Sequence, residues 1–422
     1  MAALGQRRVR SFEFSLAASA IALMLVAPLA LIVVAAQTAP AQTFTVLHNF
    51  TGGGDGSTPY SGLTIDGGGN LYGTTSAGGS NTVGVVFKLS RRNSGWVLAQ
   101  LYSFKGYDND GAVPYARVIQ DLSGVIYGST IAGGSDNDGS VFQLQPLPTR
   151  PISVISPWME RQLHSFSGGN DGQSPRGDLA FDQAGNLYGT TNAGGLPDNI
   201  GLVFQLMPSG GNWMENRIHI FNGDGDGAYP FAGVTFDPAG NLYGTTYQGG
   251  AYNYGLVYEL SPSGSGWTET FLYSFTGGED GGNPTAGLIR DQLGNLYGAT
   301  TYGGAGSGTV FELSPSNGGW TYGVLYSFAG NSYGGPQGNL VIDSAGSLYG
   351  ATLADGSYHL GNVFELKPSN GGWIYTDLHD FTGGADGGYP YDGLVLDANG
   401  KVYGTTSSGG ADNVGVVFAI IP

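Results

Sequence analysis

The residues best suited to chemistry in this sequence are six Asp that each precede a Gly at corresponding positions of the chain. They are Asp55, Asp110, Asp171, Asp226, Asp280 and Asp386. Carboxylate oxygens are ligands for Ca²⁺, but a Ca²⁺ site takes about six to eight oxygens and each of these segments supplies one dependable carboxylate. Asp-Gly is also an ordinary turn sequence. We therefore expect turns here, with no metal and no cofactor, and Ca²⁺ binding is the alternative.

Histidine supplies the next group of candidate metal ligands. Four His residues each lie two positions before a Phe, and Tyr fills the same position elsewhere in the chain, which indicates a packing position with a polar tip. These residues are His48, His164, His219 and His379, with Tyr102, Tyr273 and Tyr326 as their equivalents. We expect the four His to lie in separate structural units, too far apart to share a metal.

The rest of the sequence gives little indication of catalysis. It contains no P-loop or His-Glu-x-x-His motif. The chain has no Cys, which excludes disulfides, thiolate zinc sites and cysteine nucleophiles. We therefore predict no catalytic residues.

The strongest feature of the sequence is a unit of about 54 residues that occurs seven times. A Tyr-Gly pair marks each unit. A Thr follows that Tyr by three residues, an Asp precedes it by six, and a Pro precedes that Asp by seven. The marking residues are Tyr72, Tyr127, Tyr188, Tyr243, Tyr297, Tyr349 and Tyr403.

Each unit is predicted to form four short strands. The Pro begins the first strand, where no ladder N–H is needed, and an Asp-x-x-Gly turn leads into the second strand, which in most units reads Leu-Tyr-Gly-Thr-Thr or close to it. A Gly-rich loop, a strand containing Val-Phe and a strand that begins near a Trp complete the unit. Four strands per repeat are typical of a β-propeller blade.

The two ends of the array predict how the blades form a ring. Residues 43–50 have the pattern of a fourth strand, whereas the last unit stops just after a third strand, Val416–Ile420. We predict that residues 42–422 form an all-β, seven-bladed β-propeller in which the N-terminal strand completes the last blade. Such closure removes exposed sheet edges.

The repeat closely resembles the GloVer tandem repeat. Its motifs stand here as Leu272–Gly281, Pro284–Leu288, Asp291–Thr301 and Val310–Leu313, and the resemblance extends over nearly all of residues 43–422. The resemblance implies an exported bacterial protein. The core of the repeat is also similar to NHL and SMP-30-like propeller repeats, which implies a fold and not a chemistry.

Positions that break the repeat are the best candidates for binding, because packing alone treats all blades alike. One such position, four residues before the turn Asp, is Gly in four units and polar in three. The residue after the repeated Pro also varies, and several of its side chains are aromatic. From these two positions we predict a ligand-binding surface of Tyr60, Tyr115, Arg117, Arg176, Asp178, Phe231, Asn339 and Tyr391. Closure makes the blades of Tyr391, Tyr60 and Tyr115 adjacent, and packing between blades is the alternative.

Residues 1–41 have the order of an export signal. A basic start with Arg7, Arg8 and Arg10 precedes an apolar run and a small-residue segment that ends at Ala41. The alternative is that this segment is not cleaved and anchors the protein in a membrane. Only in that case do we expect the protein to associate with a membrane. The formal net charge of −17 repels phosphate backbones, so nucleic acid is a poor partner. We expect an extracellular, periplasmic or cell-surface monomer.

Three functions are compatible with the sequence. The preferred one is a non-catalytic protein that recognises an extracellular glycan or protein on its loop face, the face that carries the loops entering the first strands. The second is a metal-dependent lyase or lactonase-like enzyme at the mouth of the central channel near Asp178. The third is a structural surface protein.

Overall fold

Short runs of β-branched and aromatic residues, separated by Gly-rich turns, form the strands of this chain. The computed structural model describes residues 42–421 except 94, 148–157, 224, 265 and 331–332, so the predicted export signal lies outside the described residues. Residues Thr43–Pro422 form one compact unit. In the described part of the chain, no helix is long and apolar enough to span a membrane.

The described strands form seven antiparallel sheets, one for each repeat, and each sheet is a blade of a β-propeller. The innermost strands are Thr64–Ile65, Ile119–Gln120, Ala180–Phe181, Thr235–Phe236, Ile289–Arg290, Val341–Ile342 and Val395–Leu396. The second strands are Leu71–Thr75, Ile126–Gly133, Leu187–Thr191, Leu242–Thr246, Leu296–Ala299, Leu348–Thr352 and Val402–Thr406. In blade 2 the extra strand Gly111–Pro114 also pairs with the second strand.

The third and outer strands are longer and form the periphery of each blade. The third strands are Val85–Arg92, Ser140–Pro146, Leu202–Ser209, Leu256–Ser263, Thr309–Ser316, Asn362–Ser369 and Val416–Ile421. The outer strands are Gly95–Ser103, Trp158–Ser165, Asn212–Ile220, Gly266–Ser274, Gly319–Ser327, Gly372–Asp380 and, for blade 7, Thr43–Asn49.

The ring is closed by pairing between the two ends of the array. Thr43–Asn49 runs antiparallel to Val416–Ile421, with Thr43 opposite Ile421 and Asn49 opposite Val416. The backbone N–H of Phe50 also donates to the Gly415 carbonyl oxygen at 3.1 Å. The prediction of a seven-bladed propeller completed by its N-terminal strand is therefore confirmed.

The repeated Asp and the repeated Tyr-Gly pair each have a local structural cause. One oxygen of Asp66 accepts from the backbone N–H groups of Gly68 and Asn70, each at 2.9 Å, and fixes the tight turn between the first two strands. At Gly73, a Cβ atom would lie 2.6 Å from the ring of Phe87. Gly is therefore required in the second strand, because the Phe of the third strand fills that space.

Seven hydrophobic clusters of described residues fill the interfaces between blades. In each, a Phe that follows an outer strand contacts an aromatic ring of the next blade, edge-on in six of the seven clusters and tilted in the seventh. Phe50 and Phe87, for example, have ring centroids 5.3 Å apart and both are fully buried. These repeated contacts hold the blades in a ring and fix the positions of the loops that enter them.

Candidate functional site

The residues that follow the repeated Pro meet around a single depression at the propeller axis, here called the central pocket. Each Pro leads into an innermost strand, and because these strands surround the axis, their entry loops converge. The residues are Tyr60, Tyr115, Arg176, Phe231, Thr285, Gln337 and Tyr391, and all of them line the pocket. The space that the pocket encloses is about 50 Å³, and its mouth opens to solvent.

The central pocket collects most of the binding residues predicted from the sequence. Of the eight, seven line it: Tyr60, Tyr115, Arg176, Asp178, Phe231, Asn339 and Tyr391. The eighth, Arg117, reaches the pocket through its contacts with Asp178.

Three Tyr side chains form one wall of the pocket. The rings of Tyr60 and Tyr115 are stacked, with centroids 5.0 Å apart and planes inclined by 24°. Tyr391 lies edge-on to both, at 5.0 Å and 5.5 Å. Burial, reinforced by Tyr391, raises the pKa of Tyr115 well above its ordinary value, so this phenol stays neutral. The rings pack on one another, as the alternative predicted, and they also remain half-exposed to the pocket.

Arg176 provides an unpaired positive charge beside this wall. Its guanidinium lies 4.9 Å from the ring of Tyr115 and 5.2 Å from that of Phe231. Such stacking holds a guanidinium in place without neutralising it. Its Nε atom is buried and has no hydrogen-bond partner, and no ion pair of Arg176 occurs among the described residues. The pocket therefore contains a positioned donor that is not satisfied by the protein.

Polar side chains from opposite sides of the ring close the centre of the pocket. The carboxylate of Asp178 accepts from the backbone N–H of Arg117 at 2.9 Å and from its Nη2 at 2.7 Å. Asn339 donates to the same carboxylate through Nδ2 at 3.1 Å and accepts from the Gly287 N–H at 2.6 Å. Asp178 and Asn339 belong to blades 3 and 6, and the ring brings them into direct contact.

Asp392 is a pocket residue that sequence reasoning missed. It accepts from the backbone N–H groups of Gly62 and Gly393, each at 2.6 Å, and so joins blade 7 to blade 1. Burial and the neighbouring Asp178 raise the pKa of Asp392 to about 6. A signal was present, because the equivalent position in the other six blades holds only Gly, Ala or Ser.

The six Asp-Gly carboxylates serve their own loops. Asp55 accepts from the backbone N–H of Thr51 at 3.0 Å and contacts Nε2 of His48 at 3.0 Å. In two of the three units with Tyr instead of His, the phenol donates to the carboxylate: Tyr102 to Asp110 and Tyr273 to Asp280, each at 2.9 Å. The position that holds His or Tyr, two residues before the Phe, therefore pairs with the carboxylate of the Asp-Gly turn.

In three consecutive blades an acidic residue on the neighbouring outer strand faces the pair formed by the His or Tyr and the Asp-Gly carboxylate. These residues are Glu160, Glu215 and Glu269, two positions after the Trp, where the other blades have Phe44, Leu98, Tyr322 and Tyr375. The aromatic equivalents stack on the pair, as Tyr322 does on Tyr273 at 3.9 Å. Burial raises the pKa of Glu160 and of Glu215 to about 7 and that of Glu269 to about 8. Sequence reasoning missed these three Glu residues, although the sequence shows that they replace a mostly aromatic residue at this position of the repeat.

Comparison with known proteins places the chain among repeat proteins. The sequence model of the Gloeobacter/Verrucomicrobia repeat matches residues 33–159, 156–307 and 198–418, which confirms the resemblance seen in the motifs. A search of curated proteins finds no match.

Two solved structures are among those similar to this chain. A protein of Thermus thermophilus, provisionally described as an oxidoreductase (glucose dehydrogenase), is 15% identical, with 90% of this chain and 100% of that chain covered and a TM-score of 0.44. A Bacteroides uniformis protein, provisionally described as a 6-phosphogluconolactonase, is 16% identical, with 81% and 88% covered and a TM-score of 0.50. At this identity the likeness concerns the fold alone.

Proposed function

We propose that this chain, which belongs to the Gloeobacter/Verrucomicrobia repeat family, is an exported binding protein that holds the end of a glycan in the central pocket. One observation carries the proposal. Seven side chains of five types converge on one pocket from a single repeat position, although the marking Pro, Asp, Tyr, Gly and Thr of the repeat are the same in every unit. Packing between equivalent blades does not require such variety, whereas recognition of an asymmetric ligand does.

The composition of the pocket favours a sugar. Tyr60, Tyr115 and Tyr391 offer aromatic surface, and Thr285 and Gln337 lie on the other side with polar groups. Sugars have both apolar ring faces and hydroxyl groups, so they match a pocket with aromatic surface and a few positioned polar atoms. A protein partner needs about 800 Å² on each side, which is far more than this pocket presents. We therefore place a glycan before a protein as the ligand.

The unpaired guanidinium of Arg176 refines the ligand class. A planar guanidinium matches a carboxylate through paired N–H donors. The chain as a whole is strongly acidic, with a formal net charge of −17, so an anionic ligand would be bound only where a local positive charge offsets this field. We therefore expect a preference for glycans whose terminal sugar carries a carboxylate.

Loss of the tyrosine wall is expected to weaken glycan binding. The full chain is screened on an array of neutral and acidic oligosaccharides, and affinity for the best ligand is measured by calorimetry. Tyr60→Ala and Tyr115→Ala should each weaken binding by about tenfold or more, because each removes a ring that a sugar contacts. The matched control is Tyr252→Ala, at an exposed Tyr that does not line the pocket.

The outcomes of this screen separate the three functions. Binding that survives both substitutions unchanged would contradict the proposal. Absence of any glycan binding would favour the structural surface protein. Turnover of a lactone that is lost on metal removal would favour the enzyme, for which the described residues give no specific support, since the Asp178 carboxylate is already engaged by Arg117 and Asn339.

A further inference from the structure

We propose a second site, for a divalent transition-metal ion of the zinc class, between blades 3 and 4. Its ligands are His219, Asp226 and Glu269, here called the interface triad. His219 lies on the outer strand of blade 3, Asp226 in the loop that enters blade 4, and Glu269 on the outer strand of blade 4. The site is separate from the central pocket and does not depend on the proposed glycan binding.

The spacing of the interface triad fits a metal better than a hydrogen bond. Nε2 of His219 lies 3.4 Å from Oδ2 of Asp226 and 3.6 Å from Oε2 of Glu269, and the three ligand atoms lie within 4.8 Å of one another. Hydrogen bonds of this type are about 2.7–3.2 Å long. Ligands bound tetrahedrally at about 2.0–2.2 Å from Zn²⁺ lie about 3.3–3.6 Å apart. The two separations that involve His219 therefore match those between ligands of a bound Zn²⁺, and the two carboxylates lie close enough to complete the set.

Unsatisfied polar atoms at the same place provide an independent argument. Nε2 of His219 and Oε1 of Glu269 are buried and have no hydrogen-bond partner. The same interface contains Tyr258, fully buried, where all other blades have Phe, and its hydroxyl is also without a partner. Buried polar atoms are nearly always satisfied, and an ion is one of the few explanations for a group of exceptions.

The ligand chemistry selects the class of metal. One neutral imidazole and two carboxylates balance the charge of a dication. The bound dication in turn relieves the repulsion between the two buried carboxylates. A mixed nitrogen and oxygen set suits Zn²⁺ and its neighbours in the first transition series, whereas Ca²⁺ takes about six to eight oxygens. Three protein ligands leave a fourth position free for water.

The adjacent interface offers a matched comparison. Blades 2 and 3 present the same three residue types, His164, Asp171 and Glu215, and Nε2 of His164 lies 3.5 Å from Asp171. Yet the interface triad is the only set of three such ligands within this distance among the described residues. Nε2 of His164 and Oε1 of Glu215 are also buried without a hydrogen-bond partner, so the spacing of the ligands and the presence of Tyr258 distinguish the two interfaces. A metal should therefore bind first at the interface triad.

Metal binding to the untagged full chain tests this inference. After treatment with EDTA and dialysis, titration with Zn²⁺ should show one equivalent bound, and excess Zn²⁺ should raise the melting temperature. Co²⁺ in place of Zn²⁺ should give the visible absorption of a tetrahedral nitrogen and oxygen site. Glu269→Gln should weaken Zn²⁺ binding at least tenfold, and Glu215→Gln should leave it unchanged.

A second variant keeps the test independent of folding. His219→Tyr installs the residue that three other blades carry at this position, so it preserves the packing while it removes the nitrogen ligand. This variant should fold and lose Zn²⁺ binding. The inference is overturned if the full chain binds no Zn²⁺, if Glu215→Gln weakens binding as much as Glu269→Gln, or if folded His219→Tyr binds Zn²⁺ as the natural chain does.

Discussion

Replacing Phe50 by Ala is expected to lower the free energy of unfolding by about 3–5 kcal/mol, the usual cost of removing a buried Phe. Phe50 follows the N-terminal strand, is fully buried and lies edge-on to Phe87 of blade 1. Residues near a chain terminus contribute little unless the terminus is held in place. A cost of this size therefore requires that Thr43–Asn49 be an integral strand of blade 7. Urea denaturation followed by tryptophan fluorescence measures it.

The propeller supplies its own control for this prediction. Phe275 occupies the equivalent position after the outer strand of blade 4, where the chain is continuous on both sides. It is also fully buried and lies 5.3 Å from Phe311 with nearly the same ring geometry as the Phe50 pair. Phe275→Ala should cost about as much as Phe50→Ala. A cost below about 1 kcal/mol at Phe50, with the full cost at Phe275, would show that the N-terminal strand is not docked.

Replacing Asp178 by Ala is expected to destabilise the propeller by about 3–5 kcal/mol, the range seen when one partner of a buried ion pair is removed. The carboxylate accepts hydrogen bonds from Arg117 and Asn339 across the axis. Without it, the guanidinium of Arg117 and the amide of Asn339 lose their partner in a largely buried place. The free energy of unfolding in urea measures the loss.

A double-mutant cycle isolates this interaction from the loss of packing. Arg117→Ala combined with Asp178→Ala should cost clearly less than the sum of the two single changes, because each single variant leaves one charge unpaired and the double variant removes both charges. Strictly additive costs would contradict the proposed coupling at the axis.

The ring and the central pocket were accessible from the sequence because both follow from the repeat. Positions such as Tyr60 and Tyr391 recur at a fixed distance from the same Pro, so any closed ring places them around one axis. The contacts that cross the axis were not accessible. Asp178 and Asn339 are 161 residues apart and belong to blades 3 and 6. Only the curvature of the ring brings their blades together.

The interface triad could not be predicted from the sequence, for a different physical reason. Glu269 and Tyr273 are four residues apart on one strand, so simple alternation places both side chains on the same face. The pairing of blade 4 shifts between Val257 and Tyr258, where the outer strand has a bulge. As a result Glu269 faces His219 of blade 3, whereas Tyr273 faces Tyr322 of blade 5.

A cross-link between the two end strands tests ring closure most directly. Thr43 lies opposite Ile421 in the antiparallel pair, and directly opposed residues have Cα atoms about 4.5–5.5 Å apart, within the reach of a disulfide. Because the natural chain has no Cys, Thr43→Cys with Ile421→Cys provides the only two thiols.

On mild oxidation this pair should form an intramolecular disulfide in nearly every molecule, and the melting temperature should rise. Thr43→Cys combined with Ser369→Cys, at the equivalent end of the blade 6 third strand, should keep its thiols free. Free thiols in the first variant, or equal cross-linking in both, would contradict closure of the ring by the N-terminal strand.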